Sequence, residues 1–213
     1  FALKNLVRAR GLQRLAGAIP LMGTGMAFPW PLFARLPLAS GHLAEDMELG
    51  VDLIRQGQGA MLVPAAQVTS PPAAQADTLK QRTRWEHGFL SVATQRALPL
   101  VAEGMVKGRP TLAALGLDLL VPPLALMGVL VVGACAVLAA ACLAGASAAP
   151  LMFLAAFGGL AALMVLVAWA LYGRSLLRPA ALLRVPLYIL WKLPLYLRFL
   201  TRRETRWLRT RRP

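Results

Sequence analysis

Glu45, Asp46 and Glu48 fall within four positions of one another in LAEDMELG, Leu43 to Gly50, although the whole chain has nine acidic residues against 23 lysines and arginines. Carboxylates gathered in this way can exchange protons with a substrate. They can also simply complement the positive end of a helix dipole, an effect of about 0.3–1 kcal/mol each. Spacing alone leaves both readings open. A second constellation lies in TLKQRTRWEHGFLSVATQRAL. Gln81, Arg84, Trp85 and Gly88 recur there at i, i+3, i+4 and i+7, so on a helix they share one stripe. A guanidinium can grip a diphosphate bidentately, an amide gives directional hydrogen bonds, an indole offers a flat face to a sugar ring, and glycine leaves room.

The elements that must position these residues can be read from periodicity. Leu3, Leu6, Leu12 and Leu15 have helical spacing over Ala2 to Ala16, and Asp46 to Gln56 continues the acidic run as a helix. Leu21 to Pro29, with its glycines, and Ala60 to Val68 read as strands. Asp77 is placed to cap the helix that carries the Gln81 to Gly88 stripe. Strand and helix alternate, which points to the α/β class.

The rest of the chain is of another kind. With 58% hydrophobic residues and a mean hydropathy of +0.60, a soluble globule is excluded as the whole answer. Residues 1–110 are mixed in polarity, while Leu112 to Tyr172 is almost devoid of charge. Leu119 to Leu143 and Leu151 to Tyr172 are each long enough for a hydrocarbon core of ~30 Å, which takes about 20 helical residues. Ala144 to Pro150 is the turn between them, making a hairpin within residues 111–173. Lys107, Arg109, Arg174, Arg178 and Arg184 flank the hairpin and its turn is uncharged, so the flanks are expected on the cytoplasmic side. Asp118 reads as an interfacial carboxylate beside a bent helix end, with Pro122 and Pro123 following. Cys135 and Cys142 read as small apolar filler.

Within residues 174–213, Arg184 to Leu200 is apolar and aromatic but interrupted by Lys192 and Arg198. It is expected to lie in the membrane interface with Tyr188, Trp191 and Tyr196 at headgroup depth. The closing TRRETRWLRTRRP is expected to bind anionic lipid headgroups, which accounts for much of the formal charge of +14 without nucleic acid.

GTGMAFPW (Gly23 to Trp30), AEDMELG (Ala44 to Gly50) and QRTRW (Gln81 to Trp85), in that order and ahead of a membrane hairpin, resemble glycosyltransferase family 2 enzymes of the cellulose-synthase-like branch. The late WKLPLY and WLRTRR are similar to the C-terminal ends of bacterial members. The resemblance implies that residues 1–110 are the C-terminal part of a cytoplasmic GT-A catalytic domain in a multi-pass protein of the bacterial inner membrane. It makes Asp46 the general base with Glu45 beside it, assigns Gln81 and Arg84 to the donor diphosphate, and puts Trp85, Gly23, Thr24 and Gly25 at the acceptor. The implied donor is a nucleotide sugar, a UDP-sugar, and the acceptor a glycan or lipid-linked sugar of cell-surface polysaccharide synthesis. The implied Mg²⁺ or Mn²⁺ would be held by a DxD motif that has no counterpart here. That motif is expected upstream of Phe1, so this piece alone is expected to be inactive, with no metal ligands of its own. His42 and His87 match no motif position and read as solvated or hydrogen-bonded side chains. The competing reading is a non-catalytic membrane anchor or assembly subunit with a lipid-binding tail.

Overall fold

A computed structural model describes residues 3–37, 41–66, 68 and 75–201. The expected basic tail beyond Thr201 lies outside the described residues. The chain divides into two compact units, one of Arg8–Val121 with Thr201–Pro213, the other of Phe1–Val7 with Pro122–Leu200.

The first unit is built from helices. It holds α1 (Ala9–Ala16), the short α2 (Trp30–Phe33), α3 (Glu45–Arg55), α4 (Gln75–Val106) and α5 (Pro110–Leu120), while the π-helical stretch Leu3–Arg8 falls, but for Arg8, in the other unit. The α/β expectation is therefore wrong. Among the described residues the segments read as strands form no sheet; an isolated antiparallel bridge pairs Ala60, at the start of the second, with Ile19, which lies ahead of the first. A strand is stable only when a neighbour takes up its backbone groups. Here the run after Leu21 turns away at Gly23 and Gly25, both in the left-handed region with φ of 84° and 66°.

The unit's core is assembled by α5 lying antiparallel on α4. A Cβ at Gly116 would stand 2.7 Å from the Ala97 carbonyl oxygen and the Val101 nitrogen. Only a residue without a side chain allows that backbone approach. Leu112, Leu115 and Leu119 of α5 are buried against this contact, with Leu100 and Ala97 of α4, and Val51 and Ile54 of α3, in the same cluster.

Polar side chains then tie the helix ends together. Arg109 donates to the carbonyl oxygens of Ile54 and Arg55, the last carbonyls of α3, at 3.0 and 2.6 Å. Thr111 donates to the Ala16 carbonyl at the end of α1. Arg55 pairs with Glu103 at 2.8 Å, and Lys107 also bonds Glu103. Lys107, and after it Arg55, holds the Glu103 carboxyl below the usual carboxylate range. Asp118 pairs with Arg8 at 2.7 Å, and Arg8 also donates to the Asp118 backbone carbonyl. Asp118 is thus an internal tether of this unit.

The second unit holds α6 (Leu124–Leu143), α7 (Ala149–Tyr172), α8 (Pro179–Leu182) and α9 (Val185–Thr201). The expected first span, Leu119 to Leu143, is cut. Val121 is extended, with φ −76° and ψ 109°, because Pro122 disfavours a helical residue before it, and the Pro122-Pro123 pair cannot donate helix hydrogen bonds. Leu119 and Leu120 belong to α5 instead. α6 and α7 form the hairpin, and a Cβ at Gly158 of α7 would stand 2.8 Å from Val131 Cγ1 of α6. The outward side chains, such as Phe153 and Phe157, are apolar and exposed, as suits a lipid solvent.

Three helical stretches are long and apolar enough to cross a membrane: Leu124–Leu143, Ala149–Tyr172 and Pro179–Thr201. The third contains the segment expected to lie in the interface. Its mean hydropathy, 1.3, is about half that of the others at 2.6 and 2.5. Within α9 the Tyr188 and Trp191 rings stack with centroids 5.9 Å apart. Lys192, itself buried, sets its ammonium 5.1 Å from the Tyr188 ring centroid, an arrangement that offsets part of the charge's desolvation.

Candidate functional site

The acidic run forms the first turn of α3, and its three carboxylates have three environments. Glu45 is exposed and Asp46 half-buried. Glu48 is 5% exposed and is gripped by Arg96 of α4 through Nε at 3.1 Å and Nη2 at 2.8 Å. A buried carboxylate needs such a partner. In turn the Glu48 hydrogen bond holds the Arg96 guanidinium above its ordinary value, against the opposing effect of its own burial. Glu48 therefore joins two helices, whereas Glu45 is open to solvent and Asp46 partly so.

The segment from Leu21 to Gly25 is laid along α3. A Cβ at Gly50 would stand 2.5 Å from the Leu21 nitrogen, and one at Gly23 would stand 2.8 Å from Asp46 Oδ2. As the chain passes from Leu21 to Gly23 it moves back along α3, from Gly50 to Asp46. Gly23 supplies both the positive φ of 84° and the clearance that the Asp46 carboxylate requires. Beside it, Thr24 is exposed, and Gly25 sits against Val68, with its would-be Cβ 2.7 Å from Val68 Cγ2.

The third motif arrives on α4. Gly88 is buried against the residues leading into α3, with its would-be Cβ 3.0 Å from the Ala44 Cβ and 3.4 Å from the Leu43 carbonyl carbon. Two turns further along, Arg96 meets Glu48. Both helices run in the same sense across this contact, so the residues of α4 upstream of Gly88 lie toward the N-terminal end of α3. At 3.6 residues per turn, Arg84 and Trp85 sit about 40° and 60° to either side of Gly88 and about one turn before it, with Gln81 a further turn upstream. Gln81 and Arg84 are half-buried, and Trp85 is 42% exposed, too open for the core of a domain.

Gly23 thus lies directly on Asp46, and Gly88, the last residue of the α4 stripe, lies against Ala44 and Leu43, which lead into α3. His42 is exposed in the loop that enters α3, whereas His87 is 2% exposed on α4. Among the described residues, no three His, Cys, Asp or Glu side chains gather into a set that would hold a metal ion. Sequence spacing does not point to Arg96, which turns Glu48 into a structural group, or to Gly50, whose missing side chain lets the Leu21 segment approach α3. The signal for Gly88 was its place on the stripe.

Compared with known proteins, residues 5–199 match the sequence profile of the glycosyl transferase family group 2. No curated protein and no solved structure matches the chain.

Proposed function

The chain belongs to the glycosyl transferase family group 2, and from that premise we propose that it serves a membrane-bound, inverting transfer in which Asp46 is the general base. A family 2 glycosyltransferase uses a nucleotide-sugar donor and an acceptor. In this reading the acceptor hydroxyl oxygen attacks the anomeric carbon, the bond from that carbon to the diphosphate oxygen breaks, and the nucleoside diphosphate leaves with the electron pair. The proton of the hydroxyl passes to the Asp46 carboxylate. Arg84 and Gln81 bind the departing diphosphate, where a bidentate guanidinium offsets the charge that develops. Trp85 stacks on the acceptor sugar, with Gly23, Thr24 and Gly25 forming the floor beside it, and exposed Glu45 adds negative charge near the base.

The observation that carries the reading is the meeting of the Asp46 carboxylate with Gly23 at the start of α3, with Gly88 of the stripe against Ala44 just ahead of that helix. The donor is read as a UDP-sugar and the acceptor as a glycan or lipid-linked sugar of cell-surface polysaccharide synthesis. The membrane is read as the bacterial inner membrane, with residues 1–110 and the C-terminus on the cytoplasmic side, where nucleotide sugars are made. Mg²⁺ or Mn²⁺ finds no ligand set among the described residues.

The test is Asp46→Asn in the protein expressed from its complete reading frame, with release of nucleoside diphosphate measured in the presence of acceptor. The amide keeps the shape and cannot take the proton. Turnover is expected to fall by about 10²–10⁴-fold with donor binding retained. Turnover within a few-fold of the parent removes Asp46 from the base role.

A further inference from the structure

A cavity of about 220 Å³ opens between α1 and the segment after the Ile19–Ala60 bridge, lined by Arg10, Gln13, Arg14, Leu62 and Pro64. It lies apart from the Asp46 site in its residues and in its chemistry. Arg10 and Arg14 are one helical turn apart on α1, so both guanidinium groups serve the same face. The Arg10 Nε is buried with no hydrogen-bond partner. Gln13 has its amide oxygen taken by the Leu62 N–H at 2.5 Å, which leaves its NH₂ as a donor. Pro64 has no N–H, and Leu62 adds apolar wall. Among the described residues, no carboxylate lines the space. The side chains thus offer donors and positive charge without a matching acceptor. A buried guanidinium nitrogen without an acceptor is costly, and the natural complement of two forked guanidinium groups is a tetrahedral oxyanion.

We propose that this cavity binds a phosphate group, carried by a soluble phosphate ester or by a phospholipid head. The site does not depend on the glycosyl-transfer reading, because none of its residues belongs to the three motifs. Bound there, the oxyanion accepts from the Arg14 guanidinium and the Gln13 amide, and its charge is complemented by Arg10 one turn away.

The experiment uses the protein expressed from its complete reading frame, purified in neutral detergent free of phosphate. In one arm its thermal midpoint is followed against inorganic pyrophosphate. In the other it is compared between lipid nanodiscs of phosphatidylglycerol and of phosphatidylcholine. The variants are Arg14→Gln, at an exposed position where folding is not at risk, Arg10→Gln with Arg14→Gln, and Arg84→Ala to silence the motif site. The expected result is a saturable rise in the parent and in Arg84→Ala. Half-saturation should move up by about ten-fold or more in Arg14→Gln, the scale of one charge-assisted hydrogen bond, and the rise should vanish in the double variant. A rise confined to phosphatidylglycerol discs, with the same order among variants, supports the site and names the lipid head as its source. The proposal is overturned if neither probe shifts the parent, or if Arg14→Gln and the double variant respond as the parent does. It is also overturned if the pyrophosphate response disappears with Arg84→Ala alone.

Discussion

The Asp46 carboxylate and the α carbon of Gly23 approach so closely that a methyl group on Gly23 would stand 2.8 Å from Oδ2, although 22 residues of chain separate the two. Gly23 to Ala therefore tests the base directly. The substitution forces a side chain into a backbone of φ 84° and pushes on the carboxylate. Gly25→Ala is the control, since it has similar backbone strain at φ 66° but presses on Val68. Each is expected to cost about 1–2 kcal/mol of stability. Turnover per folded molecule should drop at least ten-fold further in Gly23→Ala than in Gly25→Ala, and equal turnover in the two would mean that the carboxylate's position is immaterial.

The Glu48–Arg96 pair predicts an asymmetry. Removing Arg96 strands a carboxylate that is 7% exposed, whereas removing Glu48 leaves a guanidinium that is 35% exposed and can turn to water. Arg96→Ala should destabilise by about 3 kcal/mol and Glu48→Ala by about 1 kcal/mol, as read from thermal or denaturant unfolding. Neither should alter turnover per folded molecule by more than a few-fold. A specific loss of turnover in Glu48→Gln would instead place Glu48 among the catalytic groups.

Trp85, at 42% exposed, is not placed to lose the stability of a buried ring. Trp85→Ala is expected to cost about 1 kcal/mol or less, against about 3–5 kcal/mol for a core tryptophan. The same variant should raise KM for the acceptor, while Trp85→Phe and Trp85→Tyr keep part of the affinity because a flat face remains. Acceptor saturation curves for the three variants decide it, and an unchanged KM in Trp85→Ala would end the stacking role.

The membrane arrangement can be checked by labelling after Cys135 and Cys142 are replaced by serine. A single cysteine in the turn at 144–148 should react with an impermeant thiol reagent from outside the cell, and one at Gln75 should not. A cysteine at Thr201, the end of α9, should behave like the one at Gln75 if α9 lies in the interface. Reaction like the turn would make Pro179–Thr201 a third crossing and would move the C-terminus outside.

Several features were settled by residues close together in sequence. The stripe of Gln81, Arg84, Trp85 and Gly88 follows from the helical repeat, and α4 carries it as expected. The run of uncharged residues suffices for α6 and α7 because a membrane-crossing helix satisfies its own backbone. The acidic first turn of α3 is likewise local, and the three motifs were sufficient to suggest the family that the profile match bears out.

What the tertiary structure decided was everything that depends on a partner far along the chain. Leu21 to Pro29 and Ala60 to Val68 read as strands in sequence, but a strand exists only where another takes up its hydrogen bonds. Here one bridge, Ile19 with Ala60, is formed. Glu45, Asp46 and Glu48 are alike in composition, and burial separates them: Arg96 claims Glu48, Gly23 makes room beside Asp46, and Glu45 stays in water. Asp118 looks interfacial in a linear reading and is instead held by Arg8, 110 positions away. Hydrophobic and helical periods are short-range properties that a sequence displays directly. Which carboxylate meets which guanidinium, and which glycine lets two backbones close, is set by packing of the folded chain, where desolvation penalises every charge left without a partner.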